Sequence, residues 1–160
     1  MNITNKFRIY TDGSCRGNGN ENAKGGWAYV IIKENGEIVD SQTGFKKDTT
    51  NNRMELTALA KALEASTNIS NTIFEVYTDS AYIHNCYTQK WYEKWLENGW
   101  INSSKQPVKN KELWEYIIPY FNNEKYSFNK VKGHSTDKYN NMVDKKAVKA
   151  ACMKENPKFL

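Results

Sequence analysis

The chain has 160 residues, 39% of them hydrophobic and 26% charged, and its formal net charge is +5. This length fits one compact domain, and the short apolar runs and polar start MNITNK argue against a membrane span or signal peptide, so we expect a single cytoplasmic domain over residues 1–160. Cys15, Cys86 and Cys152 are odd in number and form no Cys-x-x-Cys pair, which argues against a disulfide framework or a zinc site.

Three strands are predicted before the first helix. KFRIYTD (residues 6–12) alternates apolar and polar side chains, as a half-buried strand does. GWAYVII (26–32) and EIVDSQTGF (37–45) flank an Asn-Gly pair at 35–36, which is a strong signal for a hairpin. These segments should form three antiparallel strands.

A helix and a fourth strand follow. NRMELTALAKALEAS (52–66) places Leu56, Leu59 and Leu63 at helical spacing, and TIFEVYTD (72–79) is again typical of a strand. A right-handed crossover would place the fourth strand parallel to the first, so that the Tyr-Thr-Asp triplets ending both segments become neighbours. KYSFNKV (125–131) predicts one more strand, and a final helix follows it.

The two Tyr-Thr-Asp triplets raise the possibility of a cation site. Asp12 and Asp79 would each lie at the carboxyl end of a strand, with their carboxylates a few ångströms apart. Either aspartate alone would be read as a turn residue, but the repetition favours a pair that needs a cation. Glu55 has two readings: it has capping-box spacing from Asn52, and it could also point its carboxylate toward the pair.

The region after the last predicted strand contains two further candidates. His134 lies in a polar loop, where a histidine is commonly only a solvated side chain. Asp144 falls in the first turns of the final helix, where an acid usually compensates the helix dipole.

Aromatic and basic residues are concentrated between residues 88 and 114. Four of the five tryptophans occur there among lysines, and the net positive charge also suggests a polyanionic partner. Trp91 and Trp95 are an i, i+4 pair, which fits either core packing or a nucleic-acid groove. Glu93 and Glu97 interrupt the basic run.

Four motifs in order, YTDGSCRGNG, TTNNRMEL, YTDS and VKGH with an aspartate ten positions later, resemble the ribonuclease H type 1 family. The resemblance covers nearly the whole chain. It implies an α/β ribonuclease H-like fold, whose five-stranded mixed sheet has three antiparallel strands followed by two parallel ones, flanked by helices. It also implies an endonuclease that hydrolyses the RNA strand of RNA/DNA hybrids and leaves 5′-phosphate and 3′-hydroxyl ends. We expect a monomer, because nothing in the sequence demands a larger assembly.

By position, the resemblance implies that Asp12, Glu55, Asp79 and Asp144 are the metal ligands. They would hold two Mg²⁺ ions, or Mn²⁺, because hard cations prefer oxygen ligands and a metal pair can assist in-line phosphodiester hydrolysis. Asp12 would bridge the ions, Glu55 and Asp79 would hold the metal near the leaving group, and Asp144 would hold the metal near the attacking water. His134 would assist proton transfer or product departure.

Substrate contacts are implied in the same way. The amides of Asn18, Asn51 and Asn52 would sense the 2′-hydroxyls that distinguish RNA from DNA, and Thr50 would help to hold a phosphate of the DNA strand. Residues of about 88–112 resemble the basic protrusion of some family members, in which Trp91 and Trp95 would line the DNA-strand groove. The tail 155–160 is predicted to fray.

Three other readings compete with the enzyme. A hybrid-binding module without catalysis would have lost at least one acid, and all four are present. A transposase or integrase core would share the paired aspartates but not the TNNRME helix start or the Gly-His loop. A domain excised from a viral polymerase would lack the protrusion.

Overall fold

The structure is a computed structural model that describes residues 4–18, 22–131 and 137–153. His134 and the tail 155–160 lie outside these ranges. Within them the chain forms an α/β fold of five strands and five helices, in the order β1 (Asn5–Arg16), β2 (Lys24–Lys33), β3 (Ile38–Lys47), α1 (Asn51–Ser66), β4 (Thr72–Thr78), α2 (Ala81–Gln89), α3 (Trp91–Asn98), α4 (Lys111–Phe121), β5 (Tyr126–Lys130) and α5 (Lys138–Ala151). No helix in these ranges is both long and apolar enough to cross a bilayer.

The five strands form one mixed sheet in the order β3-β2-β1-β4-β5. β2 pairs antiparallel with β1 and with β3, whereas β4 pairs parallel with β1 and with β5. The predicted Asn-Gly hairpin is confirmed, since Gly36 has a φ of +93° and the Lys33 N–H donates to the Glu37 carbonyl at 2.8 Å. Tyr10 pairs with Tyr77, so the two Tyr-Thr-Asp triplets are neighbours as predicted.

β1 is longer than the sequence pattern predicts. Its parallel pairing with β4 ends at Tyr10, but its antiparallel pairing with β2 continues to Arg16. Asp12 therefore lies inside a strand, and the expectation that it ends one is wrong. Asp79 does follow the last residue of β4, as expected.

The sheet separates two apolar clusters. Alternate residues of a strand face opposite sides, so Ile9 packs in the cluster shared with α1–α4 and Tyr10 in the cluster shared with α5. Trp114, which has no exposed surface, lies in the larger cluster. The two clusters hold α1 and α5 on opposite faces of β1.

Two glycines allow the helices to lie directly on the strands. A Cβ atom on Gly13 would collide with the backbone of Met54 and Glu55 in α1, and one on Gly26 would collide with the backbone of Ala147 in α5. Only a residue without a side chain tolerates such close approach. Gly13 therefore brings the first turns of α1 against β1, next to Asp12.

Candidate active site

Three carboxylates from three elements converge at one edge of the sheet. Asp12 comes from β1, Glu55 from the second turn of α1, and Asp79 from the residue after β4. One oxygen of each lies within 4.8 Å of the others. Asp12 is 3% exposed and Glu55 is 8% exposed, while Asp79 is half-buried. The predicted pair of aspartates is thus a group of three that includes Glu55.

The backbone of Gly13 orients two of these side chains. Its N–H lies 2.9 Å from Asp12 Oδ1 and 2.8 Å from Glu55 Oε1, and it donates to both. The capping-box reading of Asn52 and Glu55 is wrong, because Thr50 caps α1 by accepting the Arg53 N–H at 3.1 Å. Glu55 therefore turns toward β1 rather than back toward its own helix.

Asp144 approaches this group from α5. It is half-buried and lies seven residues after Asp137, the residue that caps the helix. Its carboxyl group interacts with Asp12, although it lies outside the set of three whose oxygens are within 4.8 Å of one another. An aspartate so far along the helix does not compensate its dipole at the N-terminus.

Burial and mutual repulsion raise the pKa values of the clustered acids. For Asp12 burial is the main cause, followed by the neighbouring carboxyl groups of Glu55, Asp79 and Asp144. Burial also raises the pKa of Glu55 to about 7. Burial, followed by the charge of Asp144, raises the pKa of Asp79, while a hydrogen bond with Asp12 and the charge of Lys130 act in the opposite direction. Without a bound cation, the cluster therefore favours the protonated forms of these acids.

The donor set fits a hard divalent cation. Among the described residues, Glu55 Oε2 is a buried oxygen without a hydrogen-bond partner. A buried carboxylate oxygen normally has a partner, so this atom has a free coordination position. All three clustered side chains offer oxygen only, which favours Mg²⁺ or Mn²⁺ over zinc.

We expect the metal-free protein to become less stable as pH rises from about 4 through about 7. Acids with raised pKa values keep protons in the folded state that the unfolded chain has lost, so a rising pH favours unfolding. The loss should be about 1–3 kcal/mol between mildly acidic and mildly alkaline buffer. Urea denaturation in EDTA at several pH values measures it.

Mg²⁺ should oppose this trend, because it binds the ionised carboxylates and stabilises the folded state. The rise in unfolding free energy on adding Mg²⁺ should therefore grow with pH. An equal effect of Mg²⁺ at all these pH values would contradict the assignment of the acids as ligands.

A groove of about 1150 Å³ is lined by the start of α1 and by the segment from α2 to α4. It brings together every substrate-contact residue predicted from the sequence. Its lining residues are Asn18, Thr50, Asn51, Asn52, Tyr82, Gln89, Lys90, Trp91, Lys94, Trp95, Asn98, Ile101, Asn102, Ser103, Val108, Lys109 and Asn110. Asn18 is tied to α1, since its Oδ1 accepts the Asn51 N–H at 2.8 Å.

The two tryptophans pack with core residues and also line the groove. Trp95 is 8% exposed and packs against Trp114 with ring centroids 5.5 Å apart, as a core residue does. Trp91 is half-buried and packs on Trp95 at 6.3 Å. Both also line the groove, whereas Glu93 and Glu97 are exposed and do not, so the acids that interrupt the basic run face elsewhere.

Sequence reasoning missed Asn110. This residue precedes α4 with a left-handed backbone, φ +61°, and lines the same groove as Asn52 and its neighbours. Arg53 ties the two sides together, since its Nη1 donates to Asn110 Oδ1 at 3.2 Å and pairs with Glu112 Oε1 at 2.5 Å. The sequence offers no pattern that links residues 53 and 110, because only tertiary packing makes them neighbours.

Comparison with known proteins agrees with the fold. The family model for RNase H matches residues 4–152. A ribonuclease H of Clostridium botulinum is 47% identical over 145 residues, which cover 91% of this chain and 95% of the relative. A ribonuclease H of Acetivibrio thermocellus is 46% identical over 142 residues, 89% and 92% of the two chains.

Solved structures of ribonuclease H proteins also resemble this fold. LC9-RNase H1, a type 1 RNase H with the type 2 active-site motif, superposes with a TM-score of 0.77 at 29% identity over 93% of this chain and 73% of that one. The foamy viral protease-reverse transcriptase in complex with an RNA/DNA hybrid has a TM-score of 0.80 at 22% identity, over 92% of this chain and 20% of that one. The latter likeness concerns the fold alone. The curated relatives indicate a hydrolase of the endoribonuclease class, and the chain belongs to the ribonuclease H family.

Proposed function

We propose that the protein is an endonuclease that hydrolyses the RNA strand of RNA/DNA hybrids and leaves 5′-phosphate and 3′-hydroxyl ends. The observation that carries this proposal is the arrangement of α1, whose first residues line the groove while Glu55 joins the acidic cluster. One helix start thereby connects a surface suited to nucleic acid with a group of carboxylates suited to metal ions.

In this proposal Asp12, Glu55, Asp79 and Asp144 hold two Mg²⁺ ions, or Mn²⁺. Such ions, when bound, make a water nucleophilic and neutralise charge on the phosphate and the leaving oxygen. The carboxylates need to be ionised for this role, although burial favours their protonated forms. Gly13 assists by donating its N–H to Asp12 and Glu55, which keeps both side chains in place.

The groove residues would orient the hybrid. The amides of Asn18, Asn51 and Asn52 can donate to and accept from a 2′-hydroxyl, which a DNA strand lacks. Trp91 and Trp95 would contact the DNA strand, and Thr50 would help to hold one of its phosphates. His134, outside the described residues, would assist proton transfer or product departure.

The direct test is incubation with end-labelled RNA/DNA hybrid, duplex RNA, duplex DNA and single-stranded RNA, each with Mg²⁺ and with EDTA. We expect metal-dependent cleavage confined to the RNA of the hybrid, with 5′-phosphate ends. Cleavage that continues in EDTA would contradict the metal-dependent mechanism. Binding of the hybrid without cleavage would instead support a hybrid-binding module that lacks catalysis.

Lys94→Ala should weaken binding of the hybrid rather than the chemical step. Lys94 is exposed and lines the groove, so it can pair with a phosphate. Loss of one phosphate contact should reduce the slope of log affinity against log salt by about 1, with kcat changed less than about twofold. Binding isotherms over a range of salt concentrations measure this slope.

Lys125→Ala is the matched control, since Lys125 is also exposed but lies outside the groove. The control should keep the salt slope of the unmodified protein. Equal slopes for the two variants would show that Lys94 makes no specific phosphate contact.

A further inference from the structure

A hydrogen bond joins Tyr10 of β1 to Asp137, the N-cap residue of α5. Tyr10 is only 2% exposed, and its hydroxyl donates to Asp137 Oδ2 at 3.2 Å. The other oxygen, Asp137 Oδ1, accepts the N–H groups of Tyr139 and Asn140 at 3.0 and 3.1 Å and so caps the helix. A buried strand residue is thereby bound to the residue that caps the N-terminus of α5.

The same two elements meet again at the acidic cluster. Tyr10 and Asp12 are alternate residues of β1, so their side chains leave the same face of the strand. Asp137 and Asp144 are seven residues apart, about two helical turns, so they lie on the same side of α5. Because the helix is a continuous element, the position of its start also sets the position of Asp144 against Asp12.

The two contacts have opposite signs. The carboxyl groups of Asp12 and Asp144 interact directly. In the ionised state that metal binding requires, the two carboxylates repel each other, whereas a hydroxyl that donates to a carboxylate is attracted to it. Val143 and Ala147 pack in the same cluster as Tyr10, but apolar contacts are not directional and permit sliding. The hydrogen bond is directional and therefore resists rotation and sliding of the helix.

The surroundings of Tyr10 keep its hydroxyl aimed at Asp137. Arg8 Nη1 donates to this hydroxyl at 3.2 Å, which leaves the hydroxyl proton for Asp137. The ring is stacked on that of Tyr77, with centroids 5.0 Å apart, and lies 5.5 Å from that of Tyr139. Ring contacts and hydroxyl contacts are thus separable, because phenylalanine would keep the former and lose only the latter.

We propose that Tyr10 is a positioning residue that, through Asp137, holds α5 so that Asp144 can share a divalent cation with Asp12. The proposal rests on the proposed function, since it assumes that these acids bind metal. Tyr10 touches neither substrate nor metal in this role. Its effect is on the geometry of one ligand, and therefore on metal affinity.

The test is Tyr10→Phe, followed by calorimetric titration with Mn²⁺ and by the Mg²⁺ dependence of hybrid cleavage. Loss of a group that orients a ligand should weaken metal binding by about tenfold. The Mg²⁺ concentration for half-maximal cleavage should rise by a similar factor, while the rate at saturating Mg²⁺ stays within about twofold. A role in stability alone would lower the unfolding midpoint without moving either titration.

Tyr77→Phe is the matched control, because it removes a hydroxyl from the other ring of the stack. That hydroxyl contacts Glu75 at 3.3 Å and not the start of α5. Both titrations should match those of the unmodified protein. Titrations of Tyr10→Phe that coincide with those of this control would overturn the proposal.

Asp137→Asn tests the same hydrogen bond from its acceptor side. It keeps the proposal testable even if Tyr10→Phe folds poorly. Asparagine still caps a helix well, so α5 should persist while the charged acceptor of the Tyr10 hydroxyl is lost. We expect the same weakening of metal binding, and the double variant should be no worse than the more affected single variant. Additive effects, or an unchanged Mn²⁺ affinity in Asp137→Asn, would overturn the proposal.

The outcome also separates this inference from the proposed function. An unmodified protein that binds no Mn²⁺ and cleaves no hybrid would overturn both. If the unmodified protein binds Mn²⁺ and cleaves the hybrid, and Tyr10→Phe gives the same Mn²⁺ and Mg²⁺ titrations as the unmodified protein, the positioning role alone would be overturned.

Discussion

Asp12→Asn is expected to reduce cleavage of the RNA strand by at least about a thousandfold while leaving binding of the hybrid nearly unchanged. Asp12 is the acid that interacts with each of the other three, so its charge is needed to hold the ions in the proposed mechanism. The groove that would bind the hybrid is lined by other residues. Single-turnover cleavage and binding in the presence of Ca²⁺ measure the two effects separately.

The same variant should stabilise the metal-free protein. Asparagine removes a buried carboxylate whose pKa is raised by burial and by its acidic neighbours, and so relieves repulsion in the folded state. We expect a gain of about 2 kcal/mol, which corresponds to a rise of about 4–8 °C in the unfolding midpoint for a chain of this size. A variant that is both inactive and more stable cannot be inactive through unfolding.

Asp40→Asn is the control for charge removal elsewhere in the sheet. Asp40 accepts the Tyr29 hydroxyl at 2.8 Å on β3, so its replacement should keep cleavage and should not stabilise the protein. Robust cleavage by Asp12→Asn would refute the proposed ligand role. A fall in the metal-free stability of Asp12→Asn would contradict the repulsion that the raised pKa values indicate.

Gly13→Ala is expected to damage stability and activity together. The new Cβ would collide with the backbone of Met54 and Glu55, which can yield only if α1 moves away from β1. Overpacking against rigid backbone should cost about 3 kcal/mol, or about 6–12 °C in the unfolding midpoint. The displacement would also disturb the N–H that Asp12 and Glu55 share, so the Mg²⁺ requirement for cleavage should rise.

Gly99→Ala separates the steric effect from the general cost of replacing glycine. Gly99 has a φ of +78° but open space around its Cα, so alanine there should cost about 1 kcal/mol through backbone strain alone. Its cleavage should keep the Mg²⁺ dependence of the unmodified protein. Equal losses of stability in the two variants would show that the close approach of α1 is not the reason why position 13 requires glycine.

Local patterns were sufficient to predict that the strands form and that Asp12 and Asp79 are neighbours. The alternation in β1, the Asn-Gly turn before β3 and the helical spacing in α1 are properties of neighbouring residues, and the fold confirms all three. The repeated Tyr-Thr-Asp triplets identified Asp12 and Asp79, because parallel neighbours necessarily bring equivalent positions together. In these cases the residues that determine the structure are close in sequence or related by simple topology.

The capping of α1 shows where local reasoning fails. Asn52 and Glu55 have capping-box spacing, but a box is only one of several local options, and Thr50 supplies the cap instead. Glu55 is drawn to the N–H of Gly13, 42 residues away. No local pattern contains that donor, since it becomes available only when the glycine lets α1 rest on β1.

The sequence by itself predicted the α/β class, the mixed five-stranded sheet, Asp12 and Asp79 as neighbours, and the resemblance to the ribonuclease H family. Only the tertiary structure decided that Glu55 joins the two aspartates, that it keeps an unpaired buried oxygen, and that Asn110 lines the same groove as Asn52. The division has a physical reason. Periodicity and turns express interactions between near neighbours, whereas the site depends on contacts across long loops, whose geometry is set by packing of the whole core.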